Sequence, residues 1–220
     1  MTNYLIWVGL LGGLLTLNAC NSGTKSNNTV SAGDSVAVTM TNSEVEVGVE
    51  VASSFVQWKG FKPGGEHFGK LPVSAGSVAI QDGKLYGGHV ELAMNGIIVE
   101  DIEGEMAAML KAHLENEDFF EASKYPTARF ELTDLPTEGL AIENATELKG
   151  NLTLKDVTKN ISIPVEAITR EGETYTFESK TFRINRVDWN VKYGSKTLFG
   201  DLGDKFIDDE IELKFVLKTK

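Results

Sequence analysis

Cysteine is almost absent from this sequence of 220 residues, in which Cys20 is the only one. A single cysteine cannot form a disulfide within the chain, so the fold must be held together by its hydrophobic core. A chain of this length can bury enough surface for that. A structural disulfide is therefore excluded, and the lone cysteine needs another role.

Basic residues are also scarce, with 21 Lys and Arg against 32 Asp and Glu and a formal net charge of −11 at pH 7. Proteins that bind nucleic acids need clusters of Lys and Arg to neutralise phosphates. The same shortage argues against electrostatic attraction to an anionic membrane surface. We therefore expect no nucleic acid among the partners of this chain.

The sequence offers few groups for catalysis or metal binding. It has three histidines, His67, His89 and His113, and their spacing matches no local metal motif. No Gly-x-Ser-x-Gly motif occurs, which argues against a serine hydrolase. A pair of carboxylates could act on glycosides, but that depends on geometry which a sequence does not show. We expect structural or surface histidines, no metal, no cofactor and no catalytic residues.

The one long apolar run lies at the N-terminus and covers thirteen residues, Leu5 to Leu17. It is too short for a transmembrane helix and is typical of a signal peptide, predicted here over residues 1–19. The junction Leu17-Asn18-Ala19-Cys20 resembles the lipobox of bacterial lipoproteins. This resemblance implies acylation of Cys20, for example by palmitate, and attachment to an envelope membrane. The alternative is an ordinary secretory signal that is cleaved near Ala19.

Residues 20–43 are polar and small, and we interpret them as the lipidated cysteine followed by a flexible tether. No acidic cluster follows Cys20, so we expect the protein to face the periplasm. The remaining residues, 44–220, form the predicted folded domain.

In that domain apolar and polar residues alternate with a period of two, which is typical of half-buried antiparallel strands. The last segment shows it most clearly, with Ile211, Leu213, Phe215 and Leu217 between charged neighbours. Turn signals such as Asp82-Gly83 and Glu171-Gly172 separate the segments. We predict an all-β fold of about eight strands. One short helical insertion, at about residues 103–120, breaks the pattern, and its Met and Phe residues are predicted to plug the core.

One helix cannot cover the apolar face of eight strands, so the sheet must pack on a second sheet or close on itself. A closed barrel of this size can be filled by side chains or hold one small ligand. Gly88 and Gly150 occupy positions that are expected to face inward with the apolar residues of their strands. The missing side chains favour a cavity, although a glycine there could also mark a bulge.

Three further segments resemble the YceI-like family. These are residues 113–130 (HLENEDFFEASKYPTARF), 149–159 (KGNLTLKDVTK) and 182–189 (FRINRVDW). Trp58-Lys59-Gly60 and His67-Phe68-Gly69 resemble a subgroup found as lipoproteins in Bacteroidetes. Asp156 departs from the pattern, since the family usually has Gly there. The resemblance implies a lipocalin-like barrel that holds a long lipid, such as a polyisoprenoid, in its lumen.

The parity of the strands selects the residues that we expect to contact this lipid. They are Val90, Leu92, Phe130, Leu132, Gly150, Leu152, Leu154, Ile163, Phe177, Phe182, Ile184, Leu213 and Phe215. Arg186 is a candidate for binding a charged head group at the barrel mouth. The alternative for Arg186 is a surface ion pair with Asp188 or a nearby Glu, and the default role of Trp58 and Trp189 is packing.

The predicted function is thus that of an envelope lipoprotein that carries or scavenges a lipid. The alternative is a structural or stress-response protein with a solid, packed barrel. The oligomeric state is left open.

Overall fold

Thirteen strands are seen in the computed structural model of the chain, which describes residues 28–38 and 46–220. In chain order they are β1 Gly33–Asp34, β2 Glu46–Gly48, β3 Phe55–Lys62, β4 Gly65–Gln81, β5 Lys84–Ala93, β6 Ile98–Val99, β7 Thr127–Leu132, β8 Leu140–Ala141, β9 Glu147–Leu154, β10 Val157–Glu171, β11 Thr174–Ser179, β12 Phe182–Asn185 and β13 Glu210–Lys218. One α-helix, α1, spans Gly104–Glu115.

Eight of these strands form a closed antiparallel barrel in the order β4-β3-β13-β11-β10-β9-β7-β5, with β5 returning to β4. The long strand β4 pairs with both of its neighbours in the ring: residues 65–72 pair with β3, and residues 73–81 pair with β5. The other five strands are short and pair on the outside of this ring or extend it. The predicted all-β barrel of about eight strands with one helix is confirmed.

The apolar residues of the alternating strands point into the barrel. Ile161, Ile163 and Val165 on β10 are buried, as are Tyr175 and Phe177 on β11. Their neighbours in sequence face outward, since successive side chains of a strand point to opposite faces. The hydrophobic core therefore lies inside the ring of strands.

Helix α1 lies at one end of the barrel, which we call the α1 end. The β3–β4 hairpin tip, at residues 62–65, and the segment 186–209 between β12 and β13 lie at the same end, because β13 begins where β3 finishes. A hydrogen bond of 3.0 Å from the Phe199 backbone N–H to the Ser195 carbonyl folds part of that segment into a turn.

The helix is shorter and more exposed than predicted. It ends at Glu115, and residues 116–120 form turns instead. Met106 and Met109 are each 66% exposed, so the prediction that these methionines plug the core is wrong. None of the residues in α1 is buried. Among the described residues, none of the helical segments is both long and apolar enough to cross a membrane.

The N-terminal segment 28–38 lies against the barrel, where the sequence analysis predicted part of a flexible tether. Gly33 and Asp34 pair with β10, and Val36 exchanges two hydrogen bonds of 3.0 and 2.6 Å with the side chain of Asn151. These contacts cover the outward-facing Asn151, which is consequently buried. The predicted signal peptide, Cys20 and the rest of the tether lie outside the described residues.

Candidate functional site

A cavity of about 240 Å³ lies inside the barrel and is lined almost entirely by apolar side chains. It runs from the packed core, at residues such as Phe177, toward the α1 end, where Leu110, Leu114 and Lys62 line it. An apolar space of this kind stays dry and is suited to an apolar ligand.

Twelve of the thirteen residues selected by strand parity lie along this cavity. They are Val90, Leu92, Phe130, Leu132, Leu152, Leu154, Ile163, Phe177, Phe182, Ile184, Leu213 and Phe215. They come from seven strands, β5, β7, β9, β10, β11, β12 and β13, which the barrel closure brings around one space.

Gly150 is the exception, because the room that its missing side chain leaves is already occupied. A Cβ atom at Gly150 would collide with the ring of Phe130 and lie 2.6 Å from the Glu131 carbonyl oxygen. Phe130 reaches diagonally across the strand pair and lies over the glycine. Gly150 therefore allows a close approach of an aromatic ring, and the expectation that it leaves space in the lumen is wrong.

Several cavity residues were not identified from the sequence. Leu71, Val73 and Val78 line the cavity from β4, a strand interrupted by Gly69, Pro72 and Gly76 that shows only weak alternation. Leu110 and Leu114 line it from α1, and their spacing of four residues was the available signal.

Arg186 lies at the α1 end of the cavity but is only 2% exposed. Its guanidinium donates hydrogen bonds to three backbone carbonyls, those of Asp208 at 3.0 Å, Val191 at 2.7 Å and Ile207 at 3.0 Å. It also lies 3.6 Å from the carboxylate of Asp209. The predicted surface pair with Asp188 is not formed, and the guanidinium holds the segment 186–209 together rather than lying open at the mouth.

Burial and neighbouring groups shift the pKa values of both Arg186 and Asp209. Burial lowers the pKa of Arg186, while the carboxylates of Asp209 and Asp208 raise it. Burial alone would raise the pKa of Asp209, but hydrogen bonds from Ser195 and Thr197 and the charge of Arg186 hold it below its usual value. Both groups remain charged at neutral pH and stabilise one another.

The two described tryptophans differ in their hydrogen bonding. Trp189 is fully buried, and its Nε1–H donates to the Leu152 carbonyl at 2.9 Å, which attaches the segment after β12 to β9. Trp58 lines the cavity, and its Nε1 is buried without an acceptor among the described residues. A buried donor of this kind costs free energy until an acceptor reaches it.

The three histidines lie on different elements: His67 and His113 each approach a carboxylate, and His89 lines the cavity. His67 Nδ1 is 2.7 Å from Asp101 Oδ2, and His113 Nε2 is 3.2 Å from Asp118 Oδ2. Burial alone would raise the pKa of Asp101, but the hydrogen bonds from His67 and the Phe68 backbone hold it below its usual value. Within residues 28–38 and 46–220, no three His, Cys, Asp or Glu residues come together as a metal site would require.

The sequence also matches a family model, which describes a YceI-like domain and covers residues 37–219. The chain belongs to the YceI-like family. This assignment agrees with the resemblance seen in the sequence and with the closed barrel. The YceI-like domain thus includes the whole barrel and all the residues that line the cavity.

Similar proteins of known sequence are UPF0312 proteins of Pseudomonas aeruginosa, which are 41% identical over 56 residues. The match covers 26% of this chain and only 27% of those proteins. It is too short to transfer a function from them to this YceI-like domain.

Two solved structures resemble the YceI-like domain over most of its length. BcnA of Burkholderia cenocepacia has a TM-score of 0.57 at 21% identity and covers 78% of this chain and 99% of its own. A domain from Saccharophagus degradans, described as polyisoprenoid-binding and implicated in plant cell wall breakdown, has a TM-score of 0.57 at 14% identity and covers 79% and 97%. At these identities the likeness shows the fold.

Proposed function

We propose that this chain is an envelope lipoprotein whose barrel binds one long apolar lipid, such as a polyisoprenoid or a fatty-acid-like chain, as a carrier or scavenger. The observation that carries the proposal is the apolar cavity of about 240 Å³ inside the barrel. Burying an apolar chain there releases water from both surfaces, which drives binding without any catalytic group. The structurally similar domain from Saccharophagus degradans, which is described as polyisoprenoid-binding, supports the choice of ligand.

The size of the cavity argues against a barrel that is packed solid. Close-packed interiors contain few voids larger than one water molecule. One water occupies roughly 10–15 Å³ on the same measure, whereas this cavity measures about 240 Å³. The structural or stress-response alternative, in which side chains fill the barrel, therefore has less support.

Trp58, in the middle of β3, indicates that the ligand carries a polar group. Its Nε1–H has no acceptor among the described residues. A hydroxyl or carbonyl oxygen on the lipid could accept this hydrogen bond, whereas a pure hydrocarbon could not. We therefore favour a lipid with an oxygen-containing head group.

Gly60 is the best position for testing the lumen. It shares the parity of Trp58 on β3, lines the cavity, and has no atom within 4 Å of the position that a Cβ would take. Gly60→Leu should fill part of the lumen while the fold persists. Gln57→Leu, on the exposed outer face of the same strand, is the matched control.

The experiment compares both variants with the wild type by native mass spectrometry, after purification without detergent, and by titration with the fluorescent fatty acid cis-parinaric acid. We expect bound lipid in the wild type and in Gln57→Leu, and weaker binding in Gly60→Leu. If the wild type carries no lipid and binds no probe, the barrel is not a carrier and the structural alternative applies.

The anchor is the second part of the proposal. The lipobox-like junction at Cys20 supports acylation, and the absence of acidic residues immediately after it supports a location facing the periplasm. A single acyl chain gives only marginal membrane binding, so stable anchoring requires more than one chain on the processed cysteine.

A further inference from the structure

Large apolar side chains are exposed on two elements of the α1 end. Met106 and Met109 on α1 are each 66% exposed, and Leu198 and Phe199, in the segment between β12 and β13, are 46% and 50% exposed. Isolated exposed apolar residues are common, but a contiguous group of them usually marks an interaction surface.

Tyr193 joins the two elements. Its ring is 43% exposed and packs edge-on against His113, with the ring centroids 4.9 Å apart. His113 follows Met109 by four residues and Met106 by seven, so all three share one face of α1. The exposed side chains therefore belong to one surface, which we call the apolar rim: Met106, Met109, Tyr193, Leu198 and Phe199.

The apolar rim borders the open end of the cavity. Leu110 and Leu114, the neighbouring residues of α1, line the cavity. Val191 and Ile207, which flank the turn with Leu198 and Phe199, line it from the other side. A lipid that enters or leaves through the α1 end must therefore pass the rim.

The N-terminal segment reaches the barrel at the same end. The Asn28 carbonyl accepts a hydrogen bond of 2.9 Å from the Arg183 backbone, and Thr29 Oγ1 donates to Glu210 at the start of β13. Asn28 lies eight positions after Cys20, and eight extended residue-to-residue steps span at most about 29 Å. An acyl group on Cys20 would thus hold the α1 end, rather than the opposite end, close to a membrane.

We propose that the apolar rim docks on the surface of a phospholipid bilayer and inserts its side chains among the lipids, so that the ligand passes between bilayer and cavity without crossing water. This inference rests on the proposed lipid binding and adds the surface through which the lipid is exchanged. The chain has a net charge of −11, and the two lysines beside the rim, Lys196 and Lys205, are matched in number by Asp201 and Asp204 between them. The attraction is therefore apolar, and the expected partner is a zwitterionic bilayer.

The first experiment places a tryptophan at the rim of the full chain. Met109→Trp and Phe199→Trp are mixed with phosphatidylcholine vesicles in which part of the lipid carries bromine on its acyl chains, which quenches nearby indole fluorescence. Thr137→Trp, an exposed position in the loop between β7 and β8 at the opposite end, is the control. Each signal is compared with that of the wild type, so binding through the N-terminal segment is common to all samples.

We expect quenching of the added tryptophan at both rim positions and none at residue 137. Adding phosphatidylglycerol or raising the salt concentration should not strengthen the effect. Quenching at residue 137 equal to that at the rim would contradict the proposed orientation. No quenching at the rim would show that the rim does not enter the bilayer.

The second experiment measures transfer of a fluorescent polyprenol from phosphatidylcholine vesicles to the full chain. Met106→Ser/Met109→Ser should slow transfer by roughly tenfold, because two apolar side chains no longer contribute to bilayer contact. Ala108→Ser/Ala112→Ser, on exposed positions of another face of α1, should leave the rate unchanged. The amount of lipid bound at equilibrium should be the same in all three proteins.

This last measurement separates the two proposals. If none of the proteins binds the polyprenol, lipid binding itself fails. If all bind and transfer at equal rates, the cavity binds lipid but the rim is not its docking surface. If the wild type forms dimers that the double Met variant does not form, and rim tryptophans are not quenched, the rim contacts a second copy instead and the bilayer proposal is wrong.

Discussion

At the scale of single residues, Arg186 decides how the segment between β12 and β13 is held. Its three hydrogen bonds to carbonyls at residues 191, 207 and 208 tie together parts of the segment that are far apart in sequence. A buried guanidinium requires a nearby negative charge, which Asp209 provides at 3.6 Å. The pair therefore stabilises the segment between β12 and β13 at the α1 end and does not form a site for a ligand phosphate.

Asp209→Asn should lower the stability of the protein in a pH-dependent way. The pKa of Asp209 is held below its ordinary value of 3.8 in the folded state. Its contribution is therefore fully present above about pH 4 and is lost as the pH falls through the lower, folded-state pKa. At pH 7 we expect a loss of about 1–3 kcal/mol in the free energy of unfolding. Urea denaturation between pH 3 and 7 measures it.

The difference between this variant and the wild type should shrink at the acid end of that range. Asp208→Asn is the control, because the exposed Asp208 carboxylate forms no hydrogen bond with Arg186, and its weaker charge interaction should make its loss cost less than that of Asp209. A loss that is equal at pH 3 and pH 7 would mean that the charge of Asp209 is not the cause.

Gly150→Ala should destabilise the protein more than Gly60→Ala does. A Cβ at Gly150 meets the Phe130 ring and the Glu131 carbonyl within 2.7 Å, whereas a Cβ at Gly60 meets no atom within 4 Å. Overpacking of this kind costs about 1–3 kcal/mol. Thermal or urea unfolding of the two variants provides the comparison, and equal stabilities would contradict the close packing of Phe130 over Gly150.

At the scale of elements, α1 is held over the cavity by few contacts. Lys111 Nζ donates hydrogen bonds of 2.9 Å to the carbonyls of Asn95 and Ile97, and one of 2.6 Å to Glu115. The first two bonds connect the helix to the segment between β5 and β6. Since none of its residues is buried, the helix is expected to open more easily than the strands.

Lys111→Met should loosen α1 without unfolding the barrel. The substitution keeps the apolar stem of the side chain but removes the donor. We expect faster hydrogen exchange in residues 104–115 and faster release of bound lipid, while the global free energy of unfolding changes by less than about 1 kcal/mol. Lys124→Met is the control, because Lys124 is largely exposed and pairs only with Glu121 and Tyr125. If exchange in α1 is unchanged, the Lys111 bonds do not hold the helix.

The strands could be predicted from alternation where the pattern is regular, and could not where a bulge interrupts it. On β9, β11 and β13 the alternating apolar side chains point into the barrel, as the sequence pattern predicts. On β5, Tyr86 shares the parity of Val90 and Leu92, yet Leu85 lines the cavity instead. The register shifts there, with Ala79 opposite Gly87 and Ile80 opposite Leu85. After a bulge, the residues that faced outward face inward, and those that faced inward face outward. Nothing in the local sequence shows at which residue of β5 this change occurs.

The same distinction applies to the site. Much of the cavity wall could be listed from the alternation, because twelve of its residues lie on strands whose apolar side chains point inward. Whether a glycine leaves a gap depends on a neighbour across the sheet, as Phe130 shows for Gly150. The exposure of Met106 and Met109 depends on how the helix sits on the barrel, which its own periodicity does not determine.

At the scale of the whole molecule, the lipid anchor remains a prediction. Cys20→Ser should abolish labelling with radioactive palmitate and move the protein from the membrane to the soluble envelope fraction. The wild type, fractionated in parallel, is the reference. A variant that stays in the membrane with unchanged labelling would exclude Cys20 as the acylated residue.

The pairing of β13 with β3 has a consequence for how the protein folds. The register places Phe55 opposite Val216, so the barrel closes only when the last strand meets one near the start of the domain. Contacts so distant in sequence make folding slow. Until the C-terminal residues have been synthesised, β3 and β11 both present unpaired edges that can join other chains. A chain cut short before residue 210 would therefore not yield a smaller closed barrel but an open, aggregation-prone sheet.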